Sequence, residues 1–168
     1  MRVALTGTPG TGKTTVSEHL DTSLEIYHLN EIIEEHGFIS DTDSKRNSDI
    51  PDLQALQTFL AEKDDILFES HLAHYLPADK YIVLRCAPPE IKTRLQQKSE
   101  SDASIEENVE TEMLDIILQE TVEKRDPEQI FEIDTTNSTP NTVANEIKAI
   151  IDGNRDPSFG TVSFAEYI

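Results

Sequence analysis

Residues 7–15 read Gly-Thr-Pro-Gly-Thr-Gly-Lys-Thr-Thr, directly after a short apolar run (2–6) and directly before a stretch of helical character beginning at Lys13. A strand, a glycine-rich turn and a helix in that order can close in few ways, because the turn must be tight enough to bring the helix back over the strand. Glycines at 7, 10 and 12 allow backbone conformations that a side chain forbids, so successive N–H groups can converge on an anion. The following helix directs its positive end to the same place. Lys13 can then reach terminal phosphates, with Gly10, Gly12, Thr14 and Thr15 around them and the Thr14 hydroxyl positioned for Mg²⁺. The alternative is a glycine-rich turn with no ligand, and the preceding strand, the spacing and the Gly-Lys-Thr ending all argue against it.

The rest of the chain alternates strand-like and helix-like segments. Apolar runs at 25–29, 65–69, 81–85 and 130–133 join the first to make five strands. Between them lie helical patterns at 13–20, 30–35, around Leu53, Leu56, Phe59 and Leu60, at 88–98, from a Ser104 cap through Ile117, and through Val143, Ile147, Ile150 and Ile151. That alternation predicts an α/β fold with a parallel sheet covered on both faces. Residues 40–51 are polar and end in proline, which reads as a mobile surface loop, and residues 153–168 read as a loosely packed tail. At 168 residues a single domain is expected.

Composition excludes several classes. The formal net charge is −19 with only 14 Lys and Arg, and the acidic residues are spread from Glu31 to Glu112 instead of forming one tail. Counterion-release binding to nucleic acid needs clustered cations, so non-specific RNA binding and sequence-specific DNA binding are disfavoured. A distributed charge of this size self-repels unless salt screens it, which points to a halophile's cytoplasm, with an acidic surface for a basic partner as a compatible reading. No long apolar stretch suggests a membrane span. The single cysteine, Cys86, follows an apolar run and reads as a buried small hydrophobe.

Two further constellations carry possible chemistry. The third strand ends Glu69-Ser70-His71, where Glu69 can steady Mg²⁺ through its water shell and a neutral His71 can accept a proton from, or orient, an attacking water. Ligands of parallel sheets bind at strand C-termini, which favours this over mere solvation of a strand end. His74 reads as structural. Arg94 and Lys98 lie four apart on one helix and can stabilise a transferring phosphoryl group, the alternative being an ordinary solvated pair.

The Gly-Thr-Pro-Gly-Thr-Gly-Lys-Thr-Thr loop, Glu69-Ser70-His71, Leu84-Arg85, Arg94-Leu95 with Lys98, Asn108 with Glu112, and Asp134-Thr135-Thr136-Asn137 followed by Thr139-Pro140 together resemble the archaeal branch of the adenylate kinase isoenzyme six family. The resemblance runs to about residue 152. It implies a three-layer P-loop fold of nucleoside monophosphate (NMP) kinase type with a five-stranded parallel sheet, an NMP segment at about 28–51 and a very short lid at about 97–107. It implies ATP and Mg²⁺ as cofactors, AMP or another NMP as acceptor, and an adenine pocket near residues 134–137. It also implies ATP hydrolysis in small ribosomal subunit (16S rRNA) maturation, through the platform protein numbered eleven and the pre-30S particle. The chain departs from the family pattern at Glu69, where aspartate is common, and at Lys98, where arginine is common. A lysine offers a point charge in place of a bidentate fork. On this reading Lys13, Glu69, His71 and Arg94 are catalytic, Lys98 joins the phosphate-binding set, and Thr14 with Glu69 holds the metal. The alternatives are an assembly ATPase with little kinase activity and a binding module without turnover.

Overall fold

The structure, a computed structural model, describes residues 1–44 and 48–168. Five strands, β1 (Arg2–Thr6), β2 (Glu25–His28), β5 (Ile66–Glu69), β6 (Lys80–Arg85) and β7 (Ile130–Asp134), form one sheet in the order β2-β5-β1-β6-β7. Every pairing in it is parallel. A separate antiparallel hairpin joins β3 (Ile39–Asp43) to β4 (Ser48–Pro51). The helices are α1 (Lys13–Glu18), α2 (Leu29–His36), α3 (Leu53–Ala61), α4 (Pro88–Gln97), α5 (Asp102–Met113), α6 (Ile116–Lys124) and α7 (Pro140–Ile151).

Strand pleating sorts the core into two layers. Val3 and Leu5 of β1 face a cluster that includes Val16 of α1 and Val143 and Ile147 of α7. Ala4, between them, faces the opposite cluster with Leu29 and Ile32 of α2 and Leu56 and Leu60 of α3. This makes the sheet a filling between two helical layers, and the expected α/β architecture is what the chain adopts.

Local chemistry explains where several elements begin and end. Asp52 caps α3 by accepting from Ala55 N–H (3.0 Å), Thr139 caps α7 by accepting from Thr142 N–H (3.2 Å), and Gly37 stops α2 in a left-handed conformation. The expected Ser104 cap is displaced. Ser101 is the cap and Ser104 N–H is its donor (3.2 Å), so α5 starts at Asp102. The single helix expected through Ile117 is broken at Asp115, whose φ of 54° ends one helix and starts the next while its carboxylate pairs with Arg85.

Two segments expected to be irregular carry regular pairing or packing among their described residues. The polar stretch 40–51 contains most of the β3–β4 hairpin, which shows no apolar alternation because both its faces are largely exposed. Lys45 and Arg46, candidates for covering an acceptor, lie outside the described residues. The C-terminal segment is packed. Ser158 bridges Phe131 on β7, Thr161 N–H donates to Glu132 Oε2 (2.9 Å), and Phe164 is buried with its ring 5.2 Å from the Arg85 guanidinium.

Candidate nucleotide site

The C-terminal ends of β1 and β5 meet the start of α1, and a cavity of about 200 Å³ opens there, lined by Gly10, Lys13, Thr14, Glu69, His71 and Lys98 among others. Gly7 has φ +140°, and a Cβ added to it would meet Leu84 O at 2.5 Å, so no other residue fits that approach to β6. The first backbone bond of the helix runs from Val16 N–H to Gly12 O (2.9 Å), leaving the amides of Lys13, Thr14 and Thr15 without helical carbonyl partners.

Lys13 is buried and folds back on the loop, donating to Gly7 O (2.7 Å) and Thr8 O (3.1 Å). Burial pushes its ammonium down to about 8; Glu69 and Glu112 oppose the shift and Lys98 adds to it. Thr14 donates its hydroxyl to Glu69 Oε1 (3.0 Å), and His28 Nδ1 lies 2.8 Å from the same oxygen. His28 and Glu69 are cross-strand partners in the β2–β5 register, which is why the imidazole reaches the carboxylate. The His71 ring has no hydrogen-bonding partner among the described residues. Burial first, then Lys13 and His74, pulls its pKa down to about 4 against Glu69, so it is neutral at pH 7.

A hydroxyl and a carboxylate side by side are hard oxygen donors of the kind Mg²⁺ takes in small number beside phosphates and water. Among the described residues no group of three or more His, Cys, Asp or Glu could hold a metal ion. The Thr14–Glu69 pair therefore fits the ion.

Arg94 and Lys98 line different cavities. Lys98, exposed at the end of α4, lines the cavity beside Lys13. Arg94 turns toward a second cavity of about 220 Å³ shared with Thr11, Thr15, Thr135, Pro140 and Val143. It is held there by Glu90 Oε1 (2.9 Å), Gly10 O (3.3 Å) and Thr135 O (3.3 Å). Thr135 belongs to the 134–137 turn singled out by resemblance, and its hydroxyl also contacts Thr11 O (3.0 Å).

His74 is structural in its geometry: Nδ1 lies 3.1 Å from Thr6 Oγ1 and Nε2 lies 2.9 Å from Glu120 Oε2, beneath the surface. Cys86 is buried as expected, and burial raises its thiol to about 11. Among the described residues, no helix is long and apolar enough to cross a membrane. Reading the sequence missed His28 and the role of Arg85. A signal existed for His28 alone, since the last residue of the edge strand must lie beside the last residue of its neighbour.

The comparisons bear on family and fold. A family model described as "AAA domain" matches residues 3–115. Proteins named "Putative adenylate kinase" are similar over their full length: one from Natronomonas pharaonis is 49% identical with 100% of each chain covered, and one from Halobacterium salinarum is 46% identical with the same coverage. One from Methanosarcina acetivorans is 41% identical over 90% of this chain and 87% of its own. Among solved structures, a shikimate kinase from Acinetobacter baumannii in complex with shikimate aligns with TM-score 0.61 and 16% identity, covering 92% of this chain and 94% of that one. An unliganded sugar kinase from Janibacter aligns with TM-score 0.58 and 18% identity, covering 90% and 94%. These two carry the fold alone. With relatives matched end to end and a P-loop that the fold seats at the sheet's C-terminal edge, the chain belongs to the archaeal adenylate kinase family that its motifs resemble.

Proposed function

We propose that this protein transfers the γ-phosphoryl group of ATP to a nucleoside monophosphate, AMP first among them. The observation that carries the reading is the single cavity in which the phosphate loop, buried Lys13 and the Thr14–Glu69 pair meet at the end of β5. In this reading Lys13 leaves Gly7 O and Thr8 O to hold the terminal phosphates of ATP, and the amides of residues 13–15 hold the oxygens around them. The donor's base sits in the cavity between Arg94 and the Thr135–Pro140 turn, and the acceptor phosphate approaches Lys98. An acceptor oxygen forms a bond to the γ-phosphorus as the bond to the bridging oxygen breaks, giving two ADP. Mg²⁺, held by Thr14 and Glu69, supplies charge neutralisation to the transferring group.

His71 also borders a larger cavity of about 710 Å³ between the turn after β5 and helices α5 and α6. No Lys or Arg among its described lining residues offers charge to a phosphate, so the acceptor phosphate is assigned to the smaller cavity. Residues of about 28–51 and 97–107 would close over the two nucleotides.

A second reading has its own support. A neutral His71 without a hydrogen-bonding partner among the described residues, on the wall of the phosphate cavity, can orient a water for attack, which favours an added ATPase activity. Together with the net charge of −19, that motivates an assembly role for the protein in small-subunit maturation, with a basic platform ribosomal protein as partner. Screening of that charge motivates molar salt and a cytoplasmic setting as the working condition.

ADP production from Mg·ATP in high salt, with and without AMP, tests the first reading. Two ADP per ATP consumed, accelerated by AMP and abolished by Lys13→Ala, is the expected result. An AMP-independent rate that responds to a purified platform protein would replace it with the assembly ATPase. Turnover that survives Lys13→Ala would remove the site from both.

A further inference from the structure

Glu112 lies at the end of α5, 104 residues from Thr8, yet the Thr8 hydroxyl donates to Glu112 Oε2 at 2.5 Å. Both residues are buried. The other carboxylate oxygen is taken: Oε1 accepts Arg85 Nε (2.8 Å) and Cys86 N–H (3.0 Å). Arg85 is itself fixed, with Nη1 on Glu132 Oε1 (2.8 Å) and Nη2 on Asp115. A carboxylate pinned through one oxygen by a guanidinium and a peptide N–H has little freedom, so its second oxygen marks a fixed point in space. Thr8 is anchored to that point. The carbonyl of the same residue accepts the Thr11 hydroxyl (2.8 Å) and, before a nucleotide draws it away, the Lys13 ammonium (3.1 Å), so where Thr8 sits decides the course of the loop that carries the lysine.

We propose that Glu112 is a positioning residue for nucleotide binding: held by Arg85, it tethers Thr8 and so keeps the phosphate loop and Lys13 in the geometry that accepts a triphosphate. The alternative for Glu112 is charge neutralisation of Arg85 with no bearing on the loop. Removing the hydroxyl of Thr8 separates the two, because it leaves the Arg85–Glu112 pair intact.

The proposal rests on the ATP reading for its probe, so ATP binding is measured directly by calorimetry on the full chain in high salt, beside thermal unfolding and steady-state kinetics. Thr8→Val is expected to weaken ATP binding about tenfold, the scale of one hydrogen bond to a buried charge. It should raise KM for ATP by the same factor and leave KM for AMP and kcat within about twofold. Thr8→Ser, which restores the hydroxyl, should restore ATP binding. A folded Thr8→Val protein that binds ATP like the unsubstituted one overturns the tether. If Thr8→Val does not fold, Thr8→Ser and Glu112→Gln carry the test. Thr8→Ser must keep affinity, Glu112→Gln must lose it several-fold, and the opposite result for either overturns the proposal. Failure of the unsubstituted protein to bind ATP would instead refute the ATP reading itself.

Discussion

Two buried glutamates flank the phosphate loop, and they are furnished in opposite ways. Glu112 has an arginine, a peptide N–H and a hydroxyl, and Arg85 is shared with two more carboxylates. Burial of Arg85 is outweighed by Glu112 and then Asp115, which raise its pKa, so the guanidinium remains charged. Glu69, 7% exposed, has among the described residues only the Thr14 hydroxyl and His28 at hydrogen-bond distance, and one side of it opens to the cavity. A buried charge given a full set of partners holds structure, because removing any one strands the others. A buried charge given a partial set, beside a cavity, is available to a ligand. The same residue type is thus fully partnered on one side of the loop and open to a cavity on the other.

Substitution can break that contrast. The largest effect is expected from Glu69→Ala. Turnover of Mg·ATP should fall on the order of a hundredfold or more, with the unfolding midpoint little changed. An unfolding shift as large as the loss of rate would mean that Glu69 is also a brace. Glu112→Ala should act on stability, destabilising by about 3–5 kcal/mol in denaturant unfolding, since it leaves Arg85 short of a buried counter-ion, and it should weaken ATP binding as well because the Thr8 tether goes with it. A shift below about 1 kcal/mol would show that Asp115 and Glu132 suffice.

The pH profile sharpens the contrast at Lys13, which lies electrostatically between the two carboxylates. Its folded-state pKa is depressed from 10.5 to about 8, so the free protein loses the ammonium as pH rises through about 8. kcat/KM for ATP should therefore fall above about pH 8, by up to tenfold per unit. The linked effect on folding has the opposite sign: the unfolded chain holds that proton up to about 10.5, so this group's penalty on stability is relieved between about 8 and 10.5. A flat profile to pH 10 would place Lys13 in a more polar setting than its burial indicates. The smallest effect belongs to His28→Ala, which removes one of the two partners of Glu69 Oε1. A rise of about threefold in the Mg²⁺ concentration needed for half-maximal rate is expected, and no change would mean that Thr14 alone orients the carboxylate.

Much of this was legible in the sequence because the signals were local. The P-loop, the five apolar runs and the Glu69-Ser70-His71 ending each announce themselves within ten residues. The hairpin did not, since β3 and β4 expose both faces and carry no alternation. The Arg85 network did not either, because its members, Thr8, Arg85, Glu112 and Glu132, come from four distant segments, and a lone arginine ending an apolar strand reads as solvated. Arg94 and Lys98 show the limit of spacing arguments. Helical periodicity puts them on one face, but Glu90, Gly10 and Thr135 draw the Arg94 guanidinium into a different cavity from Lys98.

The bridge between Ser158 and β7 has a consequence beyond packing. β7 is the last strand of the sheet, and its outer edge would otherwise present unpaired N–H and C=O groups to any strand that met it. Ser158 N–H donates to Ile130 O (3.1 Å) and Glu132 N–H donates to Ser158 O (2.8 Å), occupying that edge from within the chain. For a protein whose like charges would be screened in concentrated salt, repulsion between molecules is a poor guard against association. Here the guard at this edge is built of backbone, which salt does not switch off.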